Sequence, residues 1–366
     1  MHQRYSKWMY SWETRLTMRD TNRVVRPFEW GLDWMKAWPM VNGGFSHQGA
    51  DPARFVHDLN REIVRRSETF FAYETPRDFR IEMHVPPPAR DREGNHVQRE
   101  TRPAPFLRFT SPVQTRYPEN NVANARWFPA RGRRAMLILP QWNADGDSHN
   151  ALGRLFNWMG VAALRLSMPY HDVRKPAEIE RADYAVSANI GRTIDAARQG
   201  ILEVRACLDW LQQQGYTQLG ILGTSLGSCY AFIASAHDER LKVNCFNHAS
   251  TYFGDVVWTG QSTRHIRAGI EKEVDLDRLR DAWRAISPMS YFDKFAARPE
   301  KKSLVVWATH DLTFLPEFSR QIIAEFQRRH LDFRQAVLPC GHYVTGETPF
   351  KYMDAFHICR FVGSAF

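Results

Sequence analysis

From about residue 106 onward, short apolar runs of strand length alternate with longer stretches of helical periodicity, and this alternation constrains the fold more than any other feature. The strand candidates are Phe106–Val113, Ala123–Pro129, Ala135–Pro140, Ala162–Met168, Gln218–Leu222, Val243–Asn247, Ser303–Thr309 and Phe333–Leu338. Helical stretches fall between or after them at Asn150–Gly160, Ile190–Gln214, Ser225–His237, Pro316–His330 and Thr348–Val362. In the clearest of these, Ile194, Ile201, Val204, Leu208 and Leu211 form one stripe and Gly215 marks the stop. Strands alternating with helices need a mostly parallel sheet covered on both faces, so the expected class is α/β with eight strands.

Two segments depart from this rhythm. Residues 1–105 are polar and aromatic and hold five of the twelve tryptophans, Trp8, Trp12, Trp30, Trp34 and Trp38. Tryptophan contributes most when much of its area is buried, so the segment is expected to be an extension packed on a core spanning 106–366. Within it, Pro52–Thr69 is predicted helical from Phe55, Leu59 and Ile63, while Pro86–Pro88 and Arg90–Thr101 are predicted to form an exposed loop. The second departure is an insertion at about 250–295, after the sixth strand and too long for an ordinary connection. It is expected to be a lid or an extra pair of surface helices, with Asp275–Ile286 helical.

Composition excludes several classes. Hydrophobic residues make up 43% and charged residues 24%, as in ordinary globular proteins and unlike disordered chains. No apolar run approaches the length needed to span a bilayer, and Met1–Trp8 lacks a secretory signal, so a cytoplasmic location is expected. The five cysteines are scattered with no C-x-x-C pair, which argues against a disulfide framework or a zinc site. The formal charge of +9 is spread among acids rather than concentrated, so a solvated basic surface is expected and not a nucleic-acid site.

The chemistry centres on Gly223-Thr224-Ser225-Leu226-Gly227, set between the apolar run Leu219–Leu222 and a helix of small and apolar residues. Strand, G-x-S-x-G and helix in that order suit a nucleophile elbow, a sharp turn that holds a serine at a strand end. A serine hydroxyl needs a base to take its proton and a third group to orient that base. Asp311 follows one strand and His342 follows the next, both at carboxyl ends, as Ser225 is. In an open parallel sheet those ends share one edge, where crevices form. The expected roles are Ser225 as nucleophile, His342 as general base and acid, and Asp311 as the orienting acid. Asp255, after the sixth strand, is the alternative acid. The expected oxyanion donors are the backbone N–H of Leu226 and that of Trp142, with Gln141 as the neighbouring choice. Tyr170, Trp258 and Tyr291, with the Trp142 ring, are candidates for an apolar substrate pocket because they lie close in sequence to the site loops.

These residues resemble the α/β-hydrolase superfamily, and the resemblance covers roughly residues 106–366. Gly223–Gly227, Asp311 with Pro316 opening the next helix, and Gly341-His342 carry it. It implies an eight-stranded, mostly parallel sheet and a serine hydrolase that cleaves a carboxylic ester or related acyl bond through an acyl-enzyme. A serine rather than an aspartate at the elbow disfavours dehalogenase and epoxide-hydrolase chemistry. The chain departs from the pattern at Ser228, where many members carry glycine, and at Leu139-Pro140-Gln141-Trp142, which replaces the usual histidine-glycine pair. Met168–Pro176 looks like a motif of a poorly characterised branch whose members include acyl-lipid hydrolases, which implies a small-molecule or lipid-like acyl substrate. A peptidase or amidase on the same three residues, and a non-catalytic scaffold binding a partner through residues 1–105, are the alternatives. His171-Asp172, His310-Asp311 and His248 show no metal-ligand spacing, and there is no phosphate-binding glycine loop, so no metal or cofactor is expected.

Overall fold

The computed structural model describes residues 2–45, 51–90 and 95–366. Its central sheet has nine strands among the described residues: β1 (Arg80–His84), β2 (Ala104–Thr110), β3 (Val122–Phe128), β4 (Arg134–Leu139), β5 (Ala162–Leu166), β6 (Gln218–Thr224), β7 (Leu241–Asn247), β8 (Lys302–Ala308) and β9 (Phe333–Leu338). Their order across the sheet is β1-β2-β3-β5-β4-β6-β7-β8-β9. The pairs from β5 to β9 are all parallel, and the first three pairs are antiparallel. The principal helices are α1 (His2–Thr17), α2 (Pro52–Arg65), α3 (Asn150–Trp158), α4 (Ile190–Gln213), α5 (Leu226–His237), α6 (Phe253–Thr259), α7 (Arg264–Ile270), α8 (Leu276–Ala282), α9 (Pro316–Arg328) and α10 (Phe350–Ala365).

Side chains of the inner strands alternate between two apolar layers, as the period of two requires. Leu137 and Leu139 join the layer of α4, α5 and α9, whereas Met136 and Ile138 join the layer of α1, α3 and α10. Both faces of the sheet are therefore covered, which explains why the inner strands read as near-continuous apolar runs.

All eight expected strands are present, and the ninth corrects the count. β1 lies inside the segment read as an extension and pairs antiparallel with β2, so a division at residue 105 runs through β2. The segment read as an exposed loop contains a short antiparallel pair, Ala89–Arg90 with His96–Val97; residues 91–94 lie outside the described residues. Residues 1–105 contribute to both layers. Trp38 is fully buried in the first, where its indole N–H donates to Asp195 at 2.8 Å, and Met9 and Leu16 of α1 are buried in the second. The insertion folds into α6, α7 and α8 with short helical turns after them. Trp283, Ile286 and Phe292 anchor it in the first layer.

Strand order reverses at β4: the chain crosses from β4 through α3 to β5 on one side, then through α4 to β6 on the other. Crevices open outside the carboxyl ends of strands at such a point. The loop after β4 and the turn after β6 meet there.

Candidate active site

Ser225 occupies the turn between β6 and α5 with φ 57° and ψ −119°, a conformation outside the favourable regions for an L residue. Its neighbours explain how the strain is held. A side chain at Gly227 would come within 2.5 Å of the Leu139 carbonyl oxygen, and one at Gly223 would collide with the Gly227 backbone. Glycine at both positions is what allows β4, β6 and α5 to close on one another. The Ser225 N–H donates to the Asn247 carbonyl at 2.8 Å, tying the turn to β7. Ser228, the departure noted in the sequence, adds a fastening: its hydroxyl lies 2.7 Å from the Ser225 carbonyl oxygen and 3.1 Å from that of His248.

Three of the residues singled out from sequence meet. His342 Nε2 lies 3.1 Å from Ser225 Oγ, and His342 Nδ1 lies 2.8 Å from Asp311 Oδ2. The Phe314 ring stacks on the imidazole at 5.4 Å and 11°, limiting its rotation. Asp311 is almost fully buried, and its Oδ1 accepts the N–H groups of Thr313 at 2.8 Å and Phe314 at 2.7 Å. Burial alone would raise the Asp311 pKa. The His342 charge and hydrogen bonds from His248 and His342 outweigh it and hold the carboxyl well below the usual carboxylate range. His342 shows the complementary balance. Burial lowers its pKa, but the Asp311 carboxylate, with a further contribution from Glu13, leaves it raised.

His248 was not paired with these groups in the sequence reading. Its Nδ1 lies 3.0 Å from the same Asp311 oxygen, and its ring centroid is 4.5 Å from that of His342. Burial, followed by the charge of His342, lowers its pKa, so it is neutral beside an ionised acid and donates through Nδ1. His248, Asp311 and His342 are the one group among the described residues whose ligand-type atoms lie within 4.8 Å of one another in the manner of a metal site. Sharing of protons around one carboxylate oxygen already accounts for that convergence.

The other candidates separate. Asp255 is bound to the Arg280 guanidinium at 2.5 and 3.1 Å and is not a partner of either histidine. Leu226, Gln141, Trp142 and Tyr170 line a cavity of about 1040 Å³ that contains Ser225 and His342. Trp142 fixes its loop by donating its indole N–H to Ala182 O at 2.9 Å. The Asn143 N–H is engaged by His171 Nε2 at 3.0 Å. The Tyr170 ring is fully buried, edge-on against Tyr117 and Tyr184. Trp258 and Tyr291 are not among the lining residues. Trp258 lies under the Arg267 guanidinium at 4.8 Å, and Tyr291 donates its hydroxyl to Ala285 O within the core, beside Phe71 and His237. The insertion contributes Phe253, Val256 and Val257 instead.

The 168–176 segment earns its unusual composition by fixing loop shape. Asp172 accepts from Arg165 at 3.1 Å and faces the Ser167 hydroxyl at 3.0 Å, while Arg174 forms a buried pair with Glu203. His171 bridges Asn143 N–H and Pro169 O, and burial lowers its pKa to about 3, so it remains a neutral strut.

Among the carboxyl groups that line the cavity, Asp354 stands out. Burial pushes Asp354 up to about 7, opposed by the Asn247 amide, which donates to its two oxygens at 3.0 and 3.2 Å. A folded value above the ordinary 3.8 means that the folded chain retains a proton which the unfolded chain releases. That stabilisation is complete below the unfolded pKa and is lost as pH rises through about 7. Asp354→Asn is expected to raise the melting temperature more at pH 8 than at pH 5. Thermal unfolding at both values checks this, and an equal effect at both would refute it.

Residues 148–285 match the family described as "Alpha/beta hydrolase domain containing 18". A comparison with curated protein sequences finds no match. An acetyl xylan esterase from Paenibacillus sp. R4 is similar over 96% of this chain and 99% of its own, with 11% identity and a TM-score of 0.57. Acetyl xylan esterase 1 from Thermoanaerobacterium sp. JW/SL YS485 is similar over 86% of this chain and 94% of its own, with 12% identity and a TM-score of 0.56. An acylaminoacyl peptidase from Pyrococcus horikoshii covers 79% of this chain, which spans 42% of it, with 9% identity and a TM-score of 0.52. At such identities the likeness is one of fold. The strand order and the strained turn after β6 give the chain an α/β-hydrolase fold, and residues 148–285 match a family of that fold.

Proposed function

We propose that the protein is a serine hydrolase that cleaves a carboxylic ester or related acyl bond. The observation that carries this reading is the continuous array from Ser225 Oγ through His342 to Asp311, opening into a cavity. In this reading Ser225 Oγ attacks the acyl carbon while His342 Nε2 takes the hydroxyl proton. The tetrahedral oxyanion is met by the backbone N–H of Leu226 and that of Trp142 or Gln141. His342 then returns the proton to the leaving alcohol, leaving an acyl-serine. Water activated by the same imidazole releases the acid and restores Ser225. Asp311 remains ionised throughout, holding His342 with its proton on Nδ1 and balancing the imidazolium. Each oxyanion donor is worth about 3 to 4 kcal/mol of transition-state stabilisation.

The acyl group is assigned to the apolar wall formed by Val186, Phe253, Val256, Val257 and Phe314. A fluorophosphonate probe is expected to label the wild type at Ser225 and to leave Ser225→Ala unlabelled. Folded wild type that resists the probe would sink the proposal. A panel of esters graded by acyl length, run beside aminoacyl amides, then reads whether ester cleavage exceeds amide cleavage.

A further inference from the structure

Helix α1 packs against the loop that follows β9. Glu13 of α1 is fully buried, and its carboxylate accepts the N–H groups of Tyr343 and Val344, each at 3.0 Å. Those N–H groups belong to the turn that begins at Gly341 and carries His342. The Glu13 carboxylate lies directly over Gly341, where an added side chain would displace it. Further contacts continue along the helix: the Tyr5 hydroxyl donates to Pro339 O, and Ser6 Oγ lies 3.0 Å from His310 Nε2. His310 immediately precedes Asp311, so α1 touches the loops of both the base and the orienting acid. Within α1, Thr17 caps back onto the Glu13 carbonyl at 2.9 Å, which closes the last turn of the helix.

We propose that Glu13 is a positioning residue for His342: its buried carboxylate clamps the Gly341–Val344 turn and keeps Nε2 aimed at Ser225, which makes α1 a structural part of the active site. This rests on the reading of His342 as the general base. A buried acid with two backbone donors and no cationic side chain among those partners serves poorly as simple glue, since an apolar residue with a rearranged turn would avoid its desolvation. Its placement suits a group that must fix backbone direction and add negative potential beneath an imidazole.

Charge gives the clamp a signature. The groups facing Glu13 are Asp311 from the loop after β8, and His342 and Cys340 from the loop after β9. Burial, followed by the Asp311 charge, pushes Glu13 up to about 7, with the Tyr343 and Val344 N–H groups and His342 opposing. In return, ionised Glu13 raises the His342 pKa. Removing its charge therefore lowers the His342 value, and the acid limb of kcat/KM, which requires neutral His342, moves to lower pH.

The test is full-length wild type, Glu13→Gln and Glu13→Asp, each assayed for kcat and KM across pH, for thermal unfolding and for fluorophosphonate labelling. The expected result for Glu13→Gln is a folded protein whose kcat falls about 10-fold to 100-fold with KM little changed, as a small misaim of the base requires. Its acid limb moves to lower pH, while Glu13→Asp restores the limb toward wild type. If Glu13→Gln does not fold, Glu13→Asp decides alone: reduced kcat with wild-type KM supports the clamp, and wild-type kcat overturns it. Unchanged kcat and an unmoved acid limb in folded Glu13→Gln also overturn it, as does a loss that only follows the folded fraction. Unlabelled wild type overturns the hydrolase reading and this proposal together, whereas labelled wild type with indifferent Glu13 variants overturns only the clamp.

Discussion

Asp311→Asn is expected to fold and to lose at least about 10³-fold in kcat. The direction of the new amide is decided by its surroundings. The Oδ1 position receives two backbone N–H donors, from Thr313 and Phe314, so only an oxygen is accommodated there. The amide NH₂ must then occupy the Oδ2 position, where it faces Nδ1 of both His342 and His248. As a donor it forces His342 to accept at Nδ1 and to carry its proton on Nε2. An Nε2–H group cannot take the Ser225 proton, so the nucleophile is left unactivated. The shared oxygen adds a second consequence, because His248 loses the carboxylate that holds its ring and its buried Nε2 already has no partner. Steady-state turnover at neutral pH, with circular dichroism as a control for folding, gives the result. Turnover within tenfold of wild type would remove Asp311 from the orienting role.

The second large effect concerns stability. Arg174→Ala is expected to lower the unfolding free energy by about 3–5 kcal/mol, read from urea unfolding. Arg174 and Glu203 have no side-chain exposure, and the guanidinium meets both carboxylate oxygens at 2.6 Å. The guanidinium also donates to Ser167 O and Asn120 O, while Glu203 accepts from the Ser111 hydroxyl. Deleting the cation leaves an ion buried with one neutral donor, and the segment that presents His171 to the loop after β4 loses its anchor. Replacing both partners, as Arg174→Met with Glu203→Leu, is expected to recover much of the loss because no lone charge then remains. A single variant that loses under about 1 kcal/mol would show that the pair carries little of the stability assigned to it.

The sheet was largely legible because the inner strands are buried on two faces and so write themselves as apolar runs between helical stretches. β1 escaped because its Arg-Ile-Glu-Met-His sequence sits at an edge, where Ile81 and Met83 remain exposed and no buried alternation is imposed. The rule that side chains at carboxyl strand ends share one rim located Ser225, Asp311 and His342. Applied to β7 it also points to His248, the residue directly after that strand. Trp258 and Tyr291 were misplaced for a different reason: nearness in sequence to a site loop does not say which way a short helix turns its rings. Glu13 left no trace, because an acid on a helix reads as a solvated face until the turn it meets, 330 positions later, is in place.

That separation bears on the order in which the molecule can be made. The strained serine turn closes from contacts among β4, β6 and β7, all complete by residue 247. The Glu13 clamp joins residues 330 positions apart, a contact of high sequence separation that forms late on entropic grounds. During synthesis the turn carrying Ser225 therefore closes before the turn carrying His342 meets α1. In the proposed reading, reactivity arrives only when residues 341–344 meet α1.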